Sequence, residues 1–187
     1  MQYPNNIKKT FTKLTVSHSN RGMNLENAIN QSNEYYLRND IAVIYKKPTP
    51  IGVIDVSYKN NKKVIEKAYF KEQSTLDYNG LYKGKYIDFD AKETLNKTSF
   101  PLSNIHEHQT EHIRKILKHG GIAFLIIRMN NLNYLLTGED YIHYIDTEDR
   151  KSISYKYIEE KAHIIKEAYQ PSLDYIKVVD EIYFKGV

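Results

Sequence analysis

Hydrophobic residues along this chain follow two spacings, which predict helices and strands in alternation. Leu25, Ala28, Ile29 and Tyr36 recur at helical spacing and predict a first helix over residues 20–37. Short apolar runs and strict alternation instead predict strands, because successive side chains of a strand point to opposite faces. The predicted strands cover residues 41–45, 53–58, 64–70, 85–92, 122–127 and 134–136.

The order of these elements predicts an α/β fold with a central mixed sheet and helices on both sides. Further helices are predicted at about residues 104–119, 155–169 and 173–184. Residues 122–127 are apolar throughout, which is typical of a strand buried on both faces. Residues 134–136 are the expected neighbour of that strand in the sheet.

A β-hairpin is predicted to stand apart from this sheet. Its strands flank a polar turn at residues 59–63, with the sequence KNNKK. The chain enters it through residues 46–50, KKPTP, where two prolines prevent an interior strand from continuing. Because its tip carries three lysines, the hairpin could reach into a space lined by phosphates. The alternative interpretation is an ordinary solvated turn.

Composition excludes several classes of site. The chain has 187 residues, a formal net charge of +4 and no cysteine, so it has no disulfides, thiolate zinc sites or cysteine nucleophiles. The length suits one domain over residues 21–187. Residues 1–20 are polar and basic and are predicted to form a flexible arm. We find no membrane span or signal peptide and expect a cytoplasmic protein.

The strand predicted at residues 85–92 carries the candidate chemistry. Alternation places Tyr86, Asp88, Asp90 and Lys92 on one face and apolar residues on the other. Two carboxylates about 6.6 Å apart repel by roughly 2.5 kcal/mol at an effective dielectric of about 20. A hard divalent cation relieves that repulsion better than Lys92 alone, whereas a solvated face with mixed charges is the plainer alternative.

The segments around this strand resemble the RecU Holliday junction resolvases of low-GC bacteria. The resemblance is carried by STLDYNG at 74–80, YKGKYIDFDAKET at 82–94 and NKTSFPL at 96–102. It extends upstream through SNRGM at 19–23 and KKPTP at 46–50. Downstream it includes residues 106–112 and the last predicted helix. Nearly the whole chain is covered.

The resemblance implies a restriction-endonuclease-like core with the PD-(D/E)xK nuclease motif formed by Asp77, Asp90 and Lys92. It implies Lys92 as the group that stabilises the transition state. The implied metal ion is Mg²⁺, with Mn²⁺ as a possible substitute. Its implied ligands are Thr75, Asp77, Asp90 and Gln109. The implied accessory groups near the site are Asp88 and Glu26. The lysines expected to contact DNA are Lys46, Lys47, Lys59, Lys62, Lys63 and Lys85.

The implied activity is hydrolysis of phosphodiesters at a four-way DNA junction during recombination and repair. A symmetric homodimer would make paired nicks, with the hairpin of residues 47–71 as a stalk that enters the junction. The resemblance also implies that the protein could bind the RecA recombinase. The family usually has glutamate where this chain has Asp90, so a catalytically silent module that binds branched DNA and modulates RecA is the alternative.

A second motif, HQTEH at residues 108–112, has the H-x-x-E-H spacing of inverted zinc peptidases. Both histidines lie on one face of the predicted helix, but the pattern has only three fixed letters. No third zinc ligand is identifiable from the sequence. A zinc peptidase is therefore the remote alternative.

Overall fold

The computed structural model describes residues 24–71 and 75–185, which contain five α-helices and ten β-strands. The helices are α1 (Leu25–Arg38), α2 (Glu107–Lys118), α3 (Gly138–Thr147), α4 (Tyr155–Lys161) and α5 (Tyr175–Tyr183). The strands are β1 (Val43–Lys46), β2 (Ile51–Lys59), β3 (Lys62–Phe70), β4 (Tyr78–Tyr82), β5 (Lys85–Glu93), β6 (Ser99–Pro101), β7 (Ile122–Met129), β8 (Leu132–Thr137), β9 (Ser152–Ser154) and β10 (His163–Ile165). None of these helices is long and apolar enough to cross a membrane.

Six strands form one mixed sheet in the order β1-β4-β5-β7-β8-β10. Only β5 and β7 run parallel among these neighbours, and the chain between them contains α2. The other neighbouring pairs are antiparallel. The predicted mixed α/β sheet with flanking helices is therefore confirmed.

The sheet has an apolar layer on each face. On one face, the Phe89 ring stacks between Tyr78 and Phe124 with centroid distances of 4.8 and 4.7 Å, and α1 and α5 pack over this layer. On the other face, Ala123 and Leu125 of β7 join side chains of α2, α3 and α4. The strand predicted to be buried on both faces is thus found in β7.

The predicted hairpin is confirmed as the pair β2 and β3. Among the described residues, these strands pair only with each other. The predicted five-residue turn is wrong, because the strands continue to Lys59 and Lys62 and leave only Asn60 and Asn61 between them. Both asparagines have positive φ, 50° and 59°. A two-residue turn of this kind matches the twist of the paired strands, and asparagine tolerates it.

The helix predicted over residues 155–169 is wrong beyond its first half. α4 ends at Lys161, and residues 163–165 form β10, which pairs with β8 at the sheet edge. Ile164 and Ile165 are β-branched and suit a strand as well as a helix, so the available partner strand decides the outcome. α3 was not predicted from the sequence, although Thr137 caps it by accepting the backbone N–H of Asp140.

The other helices agree with their predicted positions to within a few residues. α1 begins at Leu25, where the Asn24 side chain accepts the Asn27 N–H at 2.8 Å. The helix was predicted to start at residue 20, which is too early, and the arm predicted over residues 1–20 lies outside the described residues. A short 3₁₀ turn at Leu102–Asn104 precedes α2.

Candidate active site

The side chains of Asp77, Asp90 and Lys92 lie together at one end of the sheet. Asp90 and Lys92 are alternate residues of β5 and share a face, while Asp77 directly precedes β4, the neighbour of β5. The Lys92 Nζ is 2.9 Å from Asp90 Oδ2 and 4.0 Å from Asp77 Oδ2. The Lys92 ammonium group is therefore within ion-pair distance of both carboxylates, which come from different segments of the chain.

Asp90 is fully buried and held by three groups. Besides Lys92, the backbone N–H of Ala91 donates to its Oδ1 at 2.7 Å, and Gln109 Nε2 donates to its Oδ2 at 2.6 Å. The Gln109 Oε1 accepts the His106 N–H at 3.0 Å, as part of the cap of α2. Gln109 thus presents its amide nitrogen, rather than the oxygen expected of a metal ligand, to Asp90.

The pKa of Asp77 is raised to about 6. Burial is the largest cause, followed by the hydrogen bond and the negative charge of Asp90, whereas Lys92 and Lys46 lower it. Two crowded carboxylates with one lysine form a donor set that still favours a further positive charge. Oxygen donors of this kind fit a hard divalent cation.

We expect Asp77 to titrate near pH 6 in the metal-free protein, measured through its carboxyl ¹³C shift. In Asp90→Asn, the midpoint should fall toward the ordinary value of 3.8, because the negative neighbour is gone. A raised folded pKa stabilises the fold below the unfolded pKa, and this contribution is lost as the pH rises through about 6. A wild-type midpoint near 4 would contradict the crowding of the two carboxylates.

A cleft of about 250 Å³ opens beside Asp77, between the start of α1 and the end of β5. Its polar lining includes Glu26 and Glu93. Glu26 pairs with Lys46 at 2.6 Å, and Glu93 Oε1 accepts the Leu25 N–H at 2.6 Å. Sequence reasoning missed Glu93, which holds the first residue of α1 against the site.

Thr75, two residues before Asp77, donates its hydroxyl to the Leu76 carbonyl at 3.4 Å.

Asp88 is a second fully buried carboxylate on the same face of β5. Lys47 Nζ lies 3.0 and 2.9 Å from its two oxygens. The Tyr86 hydroxyl donates to Asp88 Oδ2 at 2.9 Å, and His112 Nε2 of α2 is also 2.9 Å from that oxygen. Asp88 therefore has its own set of partners, distinct from those of Asp90.

The lysines predicted to contact DNA occupy different surroundings. Lys62 and Lys63 are exposed beside the hairpin turn, whereas Lys59 pairs with Glu66 at 2.8 Å. Lys85 Nζ donates to the Gly120 carbonyl at 3.2 Å. Lys46 and Lys47 face Glu26 and Asp88 respectively, as described above.

A family profile described as RecU, Recombination protein U, matches residues 20–181. A protein of Geobacillus sp. (strain WCH70) named Holliday junction resolvase RecU is 50% identical over 184 residues, covering 95% of this chain and 92% of that protein. A Bacillus subtilis (strain 168) protein of the same name is 46% identical over 199 residues, covering 98% of this chain and 96% of that protein. The chain belongs to the RecU family.

Membership in the RecU family confirms the resemblance and weighs against the zinc-peptidase interpretation. The H-x-x-E-H residues have other partners in the structure. His112 contacts Asp88, Glu111 pairs with Arg114 at 3.4 Å, and the ring of His108 stacks on that of His106. In this RecU chain the motif is part of the helix that supports β5.

Proposed function

We propose that this chain resolves four-way DNA junctions by hydrolysing one phosphodiester in each of two equivalent strands. Its RecU relatives carry the name Holliday junction resolvase. The observation that carries the proposal is the Lys92 ammonium group between the carboxylates of Asp77 and Asp90, where Asp77 also lines a cleft. This arrangement suits hydrolysis without a covalent enzyme intermediate.

Junction nucleases of this kind need a divalent metal ion, and we propose Mg²⁺ with Mn²⁺ as a substitute. Asp77 and Asp90 would hold the ion, with Thr75 and Gln109 as the further candidates from the resemblance. For Gln109 to bind the ion, its side-chain oxygen would have to give up the hydrogen bond from the His106 N–H, for example by rotation of the amide group. When bound, such an ion polarises a phosphate and lowers the pKa of a water molecule.

The chain's own residues orient and balance charge at this site. Lys92 offsets the negative charge that grows on the phosphate in the transition state. Gln109 and the Ala91 N–H fix the direction of the Asp90 carboxylate. Glu93 fixes the start of α1, which carries Glu26 on the cleft wall.

A homodimer belongs to the same proposal, because two equivalent nicks need two equivalent sites. The hairpin is the candidate stalk at the junction centre. Its exposed aromatic side chains include Tyr58 at 78% and Phe70 at 80% exposure, which suits contact with bases or with a second copy. Contact with RecA remains a prediction of the resemblance.

Incubation with a synthetic four-way junction, with and without Mg²⁺, tests the function. We expect paired nicks at symmetric positions in opposite strands, dependent on the metal, and little cleavage of a linear duplex of the same sequence. Binding without cleavage would instead favour the silent module. Light scattering on the same protein would check the expected dimer.

Asp90→Glu is expected to keep cleavage within about tenfold of the parent rate, because the nuclease motif accepts either acid. The added methylene moves the carboxylate by about a bond length, which neighbouring oxygens and water ligands can accommodate. Asp90→Asn is the matched control and should be strongly impaired. An inactive Asp90→Glu protein with an intact fold would show that the site is built around aspartate.

A further inference from the structure

We propose that Lys47 is a positioning residue, which anchors the hairpin to the catalytic strand through Asp88, rather than a contact to DNA phosphate. The place of Lys47 in the chain suggests this role. It follows the last residue of β1 and precedes Pro48, Thr49 and Pro50, which lead into β2. Residues 47–50 are thus one of the two chain segments that join the hairpin to the sheet.

Lys47 is bound to the core by both its backbone and its side chain. Its backbone N–H donates to the Asp77 carbonyl at 2.8 Å. Its Nζ contacts both oxygens of Asp88, and only 19% of the side chain is exposed. One residue of the linker is thus fixed to the backbone of one candidate catalytic residue and to a carboxylate two positions from another.

Asp88 connects this anchor to α2. His112 of α2 contacts Asp88, and Gln109, three positions earlier on the same helix, contacts Asp90. Tyr86 supplies a further hydrogen bond to Asp88 and accepts one from Asn79 of β4 at 3.2 Å. The linker, β4, β5 and α2 therefore meet at a carboxylate that is inaccessible to solvent.

Burial distinguishes this pair from a surface ion pair. A buried carboxylate that loses its cation is left uncompensated, so removing either partner has a large local effect. Lys62 and Lys63 at the hairpin tip are exposed and free to approach a phosphate. For Lys47 to do so, it would have to abandon Asp88.

Hydrogen-exchange mass spectrometry on the full chain, without DNA or metal, tests the anchor. The reporters are the Lys47 amide, which bonds to Asp77, and the Lys71 amide, which donates to the Pro50 carbonyl at 2.9 Å at the base of the hairpin. In Lys47→Met and in Asp88→Asn, we expect exchange at both reporters to accelerate on the order of tenfold or more. Peptides from α5 should keep the parent rate.

Two further variants test whether the effect comes from the contact between Lys47 and Asp88. Lys67→Met, which removes an exposed lysine of β3, should leave both reporters unchanged. The double variant Lys47→Met/Asp88→Asn should exchange no faster than the faster of its parents, because each change removes the same contact. Asp88→Asn preserves side-chain shape and keeps the test available if Lys47→Met does not fold.

Unchanged exchange at Lys47 and Lys71 in both single variants would overturn the proposal. Equal acceleration in α5 would do the same, since it would indicate global destabilisation. The consequence for cleavage rests on the proposed function, but the exchange experiment does not. A chain that cuts no junction yet shows the local acceleration would count against the resolvase and support the anchor.

Discussion

Cleavage of a four-way junction is expected to fall by at least about 100-fold in Lys92→Ala and in Asp77→Ala, while junction binding persists. Lys92 is the cation between the two carboxylates, and its loss removes the ammonium group that would offset the negative charge of the transition state. Asp77 supplies one of the two carboxylates expected to hold the metal. Single-turnover cleavage and a separate binding assay in Ca²⁺ would measure the two effects.

The matched controls are Lys97→Ala and Asp149→Ala, which remove one exposed charge of each sign outside the site. Both should cut at the parent rate. Thermal melts would confirm that the site variants are folded. Cleavage that survives in folded Lys92→Ala or Asp77→Ala would remove that residue from the mechanism.

Replacing Lys59, Lys62 and Lys63 together with alanine should weaken junction binding and reduce its dependence on salt. Lys59 and Lys62 lie directly opposite each other across the hairpin, so three positive charges are concentrated at its tip. If each contacts one phosphate, the slope of log K against log salt should fall by up to about 2.7 units. Fluorescence anisotropy on a labelled junction over a salt series would measure it.

A triple variant of Lys151, Lys156 and Lys161 is the control for this experiment. These exposed lysines lie outside the hairpin, and their replacement changes the net charge by the same amount. We expect this control variant to show the same slope of log K against log salt as the parent protein. Equal slopes for the hairpin variant, the control and the parent protein would show that the hairpin tip does not contact the junction.

Local periodicity accounts for the parts of the site that were predicted from the sequence. Asp88, Asp90 and Lys92 share a face of β5 because side chains alternate along any strand, whatever its neighbours are. The hairpin was likewise predictable, since two alternating segments flank a polar turn. The third candidate catalytic residue, Asp77, came from the family resemblance, because strand spacing alone does not indicate which distant acid joins the pair.

The features that were not predicted from the sequence depend on partners outside the local segment. Residues 163–165 became β10 because the edge of β8 was available for pairing. Gln109 turned its amide nitrogen to Asp90, since its oxygen was already used in the cap of α2. Lys47 contacts Asp88, a partner 41 positions away that was not predicted from the sequence, while its contact with DNA stays a prediction.

The sequence by itself determined the family, the α/β class, the charged face of β5 and the hairpin with its lysine-rich tip. These follow from local spacing and from motifs that can be read along the chain. Only the tertiary structure decided which cation meets which carboxylate, with Lys47 joined to Asp88 across 41 positions. Such pairs form when strand order brings distant segments together, and a buried charge must then find its partner among the groups within reach.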